Sequence, residues 1–196
     1  MRPALRCWAI VALVASSSAT AAPLNVSIAR ADVDRAVGIG KKTEAERQRF
    51  HDPYFVQLGS PSVVSMEVIS EFRRVVLAAE DRERSGDRSF TAAQAEEVIR
   101  PWRGRISIIA HIKYSPLNRL ISVPQYELTL AGARGTPDLR PVDTRSKPFF
   151  VDGAITAADI EAVFESTAIA RTKRTIVLKG PQAQLAAAGF DFAAVQ

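Results

Sequence analysis

Any acid–base or metal chemistry built on imidazole would have to run through two residues, because His51 and His111 are the only histidines in the 196-residue chain. His51 is followed by Asp52 and Pro53, and His111 lies on the polar side of an alternating segment together with Lys113. A hydrolytic or metal-dependent site would combine both imidazoles with a carboxylate such as Asp52, since a catalytic metal takes three protein ligands. No HxH, HExxH or HxxE spacing supports that combination, and GxSxG, SxxK and GxxxxGK[ST] are likewise missing. Gly38-Ile39-Gly40-Lys41-Lys42 lacks the spacing of a phosphate loop and reads as a helix stop. No carboxylate stands out as isolated in an apolar run, and Glu80-Asp81 and Glu96-Glu97 read as exposed helix faces. The plainer expectation is that His51 caps a helix end and that His111 is solvated.

Charge distribution offers a different chemistry. Residues 23–99 hold 11 basic and 13 acidic side chains, whereas residues 100–147 hold nine basic and three acidic. The densest cluster is Arg100-Pro101-Trp102-Arg103-Gly104-Arg105, in which Arg100, Arg103 and Arg105 flank the indole of Trp102. Guanidinium groups grip carboxylate or phosphate through paired donors and stack on aromatic rings, so these four residues form the candidate partner- or anion-binding group. Arg119, Arg134, Arg140, Arg145 and Lys147 follow in loop-like sequence and would widen this group into a basic rim. Against it stands composition: arginine outnumbers lysine 20 to 6 over the whole chain, which also fits a general bias with Trp102 serving only as a core anchor.

Location narrows the partner. Residues 1–22 have the three parts of a secretory signal peptide: Arg2 and Arg6, the apolar run Cys7 to Ala15, and the small residues Ala19-Thr20-Ala21-Ala22. The apolar run is too short to remain as a membrane span. Cleavage would remove the only cysteine, leaving a body without disulfide or thiolate metal site, with 24 Lys and Arg against 21 Asp and Glu. Export argues against nucleic acid as partner, and one aromatic is too few for a stacking platform. A protein or an anionic envelope component fits better.

The elements that must position these groups follow from periodicity and capping. Ile28 to Val37 is patterned as a helix, a second helix starts at Thr43 with Glu46 completing a capping box and ends before His51, and Thr91 to Arg100 is a third with Gln94 in the box position. Val63 to Ile69 is a β-branched strand, but Val68 to Ala79 fits a helical stripe as well as a long strand. Residues 105–114 and 123–130 alternate as strands and suggest an antiparallel pair joined by a long loop. Gly132 to Lys147 reads as the longest surface loop, Phe149 to Val151 as a short strand, Thr156 to Glu165 as a further capped helix, and Arg174 to Lys179 and the Phe190–Phe192 segment as strands. Similar patterns starting at Ile28, Phe90 and Ile155 reflect a shared capping grammar more than a duplication.

The expected fold is therefore α+β: an antiparallel β-sheet, sandwich-like if a second sheet packs on it, with three or four short capped helices in one domain behind the signal peptide. Residues 23–60 form its helical N-terminal segment and 61–196 the sheet-based part. The expected function is that of a secreted or periplasmic bacterial protein, non-enzymatic and without cofactor, that offers a basic surface to a protein or anionic envelope partner. The competing expectation is an enzyme using His51, Asp52 and His111.

Overall fold

A computed structural model describes residues 24–195 apart from 25, 61, 116, 118, 119, 133 and 134. The expected signal-peptide segment and Cys7 lie outside the described residues. No helix among those described is long and apolar enough to cross a membrane.

The chain forms helices α1 (Arg30–Gly40), α2 (Glu44–His51), α3 (Glu71–Arg84) and α4 (Ala92–Ile99) and strands β1 (Phe55–Gln57), β2 (Val63–Ile69), β3 (Arg105–Lys113), β4 (Glu127–Leu130), β5 (Asp143–Val151), β6 (Ala154–Glu165), β7 (Lys173–Lys179) and β8 (Gln184–Asp191). The strands make two antiparallel sheets, ordered β1-β2-β3-β6-β5 and β4-β7-β8. The α+β fold with antiparallel sheets and four helices is thus as the sequence indicates. Residues from both sheets share one apolar core, among them Met66, Val68, Ile106, Ile108, Ile160 and Phe164 with Leu128, Leu130, Ile176 and Leu178. A second core lies between α1, α3 and α4, around Val33, Ala36, Phe72, Val76, Ala79, Ala95 and Ile99. Gly40 lets α1 touch α3: a Cβ there would stand 2.5 Å from Ala79 Cβ and 2.7 Å from the Val76 carbonyl. The segment before residue 60 does not stand apart, since α1 packs on α3 and β1 extends the large sheet.

Several expectations need correction. Residues 154–165 are a strand, not a helix. Ala158, Ile160, Ala162 and Phe164 face the core while Asp159 and Glu161 face out, and pairing on both sides with β3 and β5 outweighs the helical propensity of an Ala- and Glu-rich segment. The strands at 105–113 and 127–130 do not pair; their connection crosses from one sheet to the other. The expected 132–147 loop ends early, because β5 begins at Asp143 as an outermost strand whose nearly all-exposed residues leave no alternation to read. The ambiguous stretch divides at Ser70, whose hydroxyl accepts from the Arg73 backbone N–H at 3.3 Å and starts α3.

The sandwich has two unlike ends. β2 leads into α3, and α4 leads into β3, so the helices cap the end near Ile69 and Arg105. At the other end, the Lys113 N–H donates to Ser62 O at 2.8 Å and the Tyr114 N–H to Thr156 O at 2.9 Å, which gathers the connections after β1, β3 and β5.

Candidate functional site

Register places the polar side chains of the five-stranded sheet in rows on its outer face. One row runs Gln57, Ser65, His111, Asp159, Lys147, and the next runs Phe55, Glu67, Ile109, Glu161, Arg145. His111 is held between two carboxylates, Nδ1 at 2.7 Å from Asp159 Oδ1 and Nε2 at 3.1 Å from Glu67 Oε1. The Glu67 hydrogen bond, with Asp159 behind it, holds the imidazolium above the usual histidine range against the opposing effect of burial. Phe55 lies parallel over the ring at 6.4 Å between centroids.

Glu67 continues the string inward. Its Oε2 accepts from Arg73 Nη2 at 2.6 Å. Burial alone would raise this carboxyl, but the His111 hydrogen bond and the Arg73 charge outweigh it and keep the group below its ordinary value. Arg73 is 1% exposed. Its Nη1 donates to Val68 O at 2.6 Å and its Nε to His51 Nδ1 at 3.2 Å. An accepting Nδ1 puts the His51 hydrogen on Nε2, which faces Glu80 Oε1 at 2.8 Å, and Arg47 closes the string on the same oxygen at 3.3 Å. Seven side chains, from Asp159 to Arg47, are therefore linked through a sheet, α3 and α2.

The candidate enzyme residues are placed by this string. His51 and His111 sit at opposite sides of the Glu67–Arg73 pair, and Asp52 accepts from Gln48 at 2.9 Å instead of joining either. Both nitrogens of both rings have partners, and none of those partners is a hydroxyl, thiol or amine nucleophile. A cleft of about 540 Å³ opens beside His51, Phe55, Glu67, Arg73 and Glu80. Among the described residues no three His, Cys, Asp or Glu side chains are grouped to hold a metal ion.

The Arg100, Trp102, Arg103 and Arg105 group lies at the helical end. Arg100 pairs with Glu97 on the exposed side of α4. Arg103 donates to Ile28 O and Glu71 Oε2, both at 2.9 Å, and also pairs with Glu96. Glu71 is fully buried and accepts from the Gly104 N–H at 2.6 Å and the Ile28 N–H at 3.4 Å, so the Glu71–Arg103 pair fastens α3, the β3 entry and the residues before α1 together. Trp102 is half-buried, with the Arg74 guanidinium 3.6 Å and that of Arg145 5.5 Å from its ring centroid. Arg74 also donates to Ser107 Oγ at 2.7 Å. Of the three guanidinium groups in the predicted cluster, only Arg105 has no carboxylate within 4 Å among the described residues.

At the opposite end the pattern reverses. The connecting segments 58–62, 113–126 and 147–156 contain Lys113, Arg119 and Lys147 against one acid, Asp152, a charge of +2. Lys179 stands 3.7 Å from Asp138, but Lys113 and Lys147 have no carboxylate within 4 Å among the described residues. Large apolar side chains are exposed in the same connecting segments: Leu117 at 90%, Ile121 at 98%, Phe150 at 61% and Val151 at 57%. Between the sheets a cleft of about 930 Å³ is lined by Tyr126, Leu128, Arg145, Ser146, Ile160 and Lys179.

Comparisons with protein-family models, with curated proteins and with solved structures find no match to this chain. Sequence reasoning missed Glu67, Glu71, Arg73 and Arg74. The first hint at their burial was Glu67 inside the strand run Val63 to Ile69, where alternation puts it among β-branched residues.

Proposed function

We propose that the chain is an exported, non-enzymatic binding domain that holds an anionic envelope partner, with the loop end of the sandwich and the adjoining outer face as its contact surface. The observation that carries this reading is the unequal pairing of cations. At the helical end the guanidinium groups of Arg73, Arg74, Arg100 and Arg103 are engaged by carboxylates and the unpaired Arg30, Arg49 and Arg105 are scattered over α1, α2 and the β3 entry, whereas at the loop end Lys113 and Lys147 are exposed, have no carboxylate within 4 Å among the described residues and lie on β3 and β5 with one strand between them. Exposed charge that is not neutralised internally is what steers and holds an oppositely charged partner.

A binding role is further supported by the histidines, which act as links, His111 between two carboxylates and His51 between Arg73 and Glu80, with no hydroxyl, thiol or amine nucleophile among their partners. The test is salt-dependent retention on immobilised dextran sulfate. Lys113→Glu combined with Lys147→Glu should bring elution to markedly lower salt, whereas Arg105→Glu should have little effect. Unchanged elution of the double variant would remove the basis of the proposal.

A further inference from the structure

Resting on that reading, we infer that the anionic partner is a lipid surface, and that the loop end enters its headgroup region with Leu117, Ile121, Phe150 and Val151 as the immersed side chains and Lys113 and Lys147 as flanking contacts. Leu117 and Ile121 belong to the β3–β4 connection, whose Leu120 and Val123 pack against the sandwich core. The connection is therefore anchored by two apolar residues while two others are left almost wholly in water, at 90% and 98% exposure. Phe150 and Val151 precede the Asp152-Gly153 turn, where both residues have positive φ, 49° and 77°, as a two-residue hairpin of this kind requires. The β5–β6 hairpin thus projects its apolar pair from the same end, since the Tyr114 N–H bonds to Thr156 just beyond it.

Two separate loops presenting isolated apolar side chains differ from a continuous apolar groove. They offer points to immerse, not a flat face to cover. Single apolar side chains on a surface are ordinary, but five of the eight large exposed apolar residues of the described chain, namely Leu117, Ile121, Phe149, Phe150 and Val151, lie at this one end. The charge beside them has the sign an anionic bilayer attracts, and Lys147 Nζ lies 5.3 Å from the Phe149 ring centroid, which sets a cation against one of the aromatic side chains of this end. Aromatic and aliphatic groups for the interface with lysines for the headgroups is the division of labour found in interfacial anchors.

The experiment is co-sedimentation of the exported chain with phosphatidylcholine vesicles, with and without phosphatidylglycerol. The parent should sediment only with the phosphatidylglycerol vesicles. Both Ile121→Ser with Phe150→Ser and Lys113→Glu with Lys147→Glu should weaken partitioning by roughly tenfold or more. An Ile121→Trp probe should shift its emission to the blue on binding. These positions are exposed, so melting temperatures should not change, and a variant that melts earlier is replaced by Leu117→Ser with Val151→Ser. If the serine variants sediment like the parent, or the probe does not shift, the immersion is wrong while anionic binding stands. If the parent is retained on dextran sulfate but ignores both vesicles, the lipid assignment is wrong and the broader reading survives. Failure on both supports overturns both.

Discussion

The two ends of the sandwich use similar residues to opposite effect. At the helical end, arginines lie against Tyr54, Phe55 and Trp102, and every one of those arginines also meets a carboxylate or a half-buried ring system that fixes it. At the loop end, Lys147 stands beside Phe149, Lys113 has no carboxylate within 4 Å among the described residues, and Leu117 and Ile121 are exposed in the connection that follows it. The difference teaches that a cluster of cations and aromatics gains its meaning from the carboxylates folded against it. Buried charges persist only when paired, so at the helical end Glu67, Glu71, Glu80 and Glu161 turn a basic sequence into internal struts.

That contrast can be broken in graded steps. The largest effect should come from Arg73→Leu, which leaves Glu67 without its buried cation and His51 without its donor; about 3–5 kcal/mol of stability should be lost, measured by urea unfolding. Glu71→Ala removes one of the two carboxylates on Arg103 and leaves the Gly104 N–H without its acceptor, and should cost about 2–3 kcal/mol by the same measurement. A smaller effect separates by pH. The folded pKa of His111 is raised above its unfolded value near 6.5, so the stability it contributes is fully present below pH 6.5 and fades as pH climbs through the folded value. His111→Ala should therefore cost about 1–2 kcal/mol near pH 6 and less near pH 8, and an equal loss at both would contradict the imidazolium bridge. Glu67 has the opposite sign: its folded pKa is lowered from 4.5, so its contribution is present above pH 4.5 and is lost as acid carries it through the folded value. The smallest stability effect, within about 0.5 kcal/mol, should follow Lys113→Glu or Lys147→Glu, because neither lysine is part of the folded network.

Local grammar made part of this visible from residues alone. Thr43 with Glu46 and Thr91 with Gln94 start their helices as the capping pattern indicates, with the Thr43 N–H 3.2 Å from Glu46 Oε2 and the Thr91 N–H 2.8 Å from Gln94 Oε1. The Ile106, Ile108, Ala110, Ile112 alternation gives β3 and its inward face. Asp152-Gly153 carried a hairpin signal that, followed through, would have turned the supposed 156–165 helix into the second arm of a hairpin. Other features depend on residues distant in sequence. Arg103 meets Glu71 across 32 positions and Ile28 across 75, and His111 meets Asp159 across 48, so no window of sequence contains both partners. The same limit applies to the candidate contact surface, because Lys113 and Lys147 belong to different segments and become neighbours of one end only through the β3–β6–β5 order.

The central claim is that the loop end, not the Arg100–Arg105 cluster, meets the anionic partner, and hydrogen–deuterium exchange with and without dextran sulfate tests it most directly. The account predicts added protection over residues 113–121 and 147–153 with residues 96–105 unchanged. Protection confined to 96–105, with the loop end exchanging as before, would contradict it.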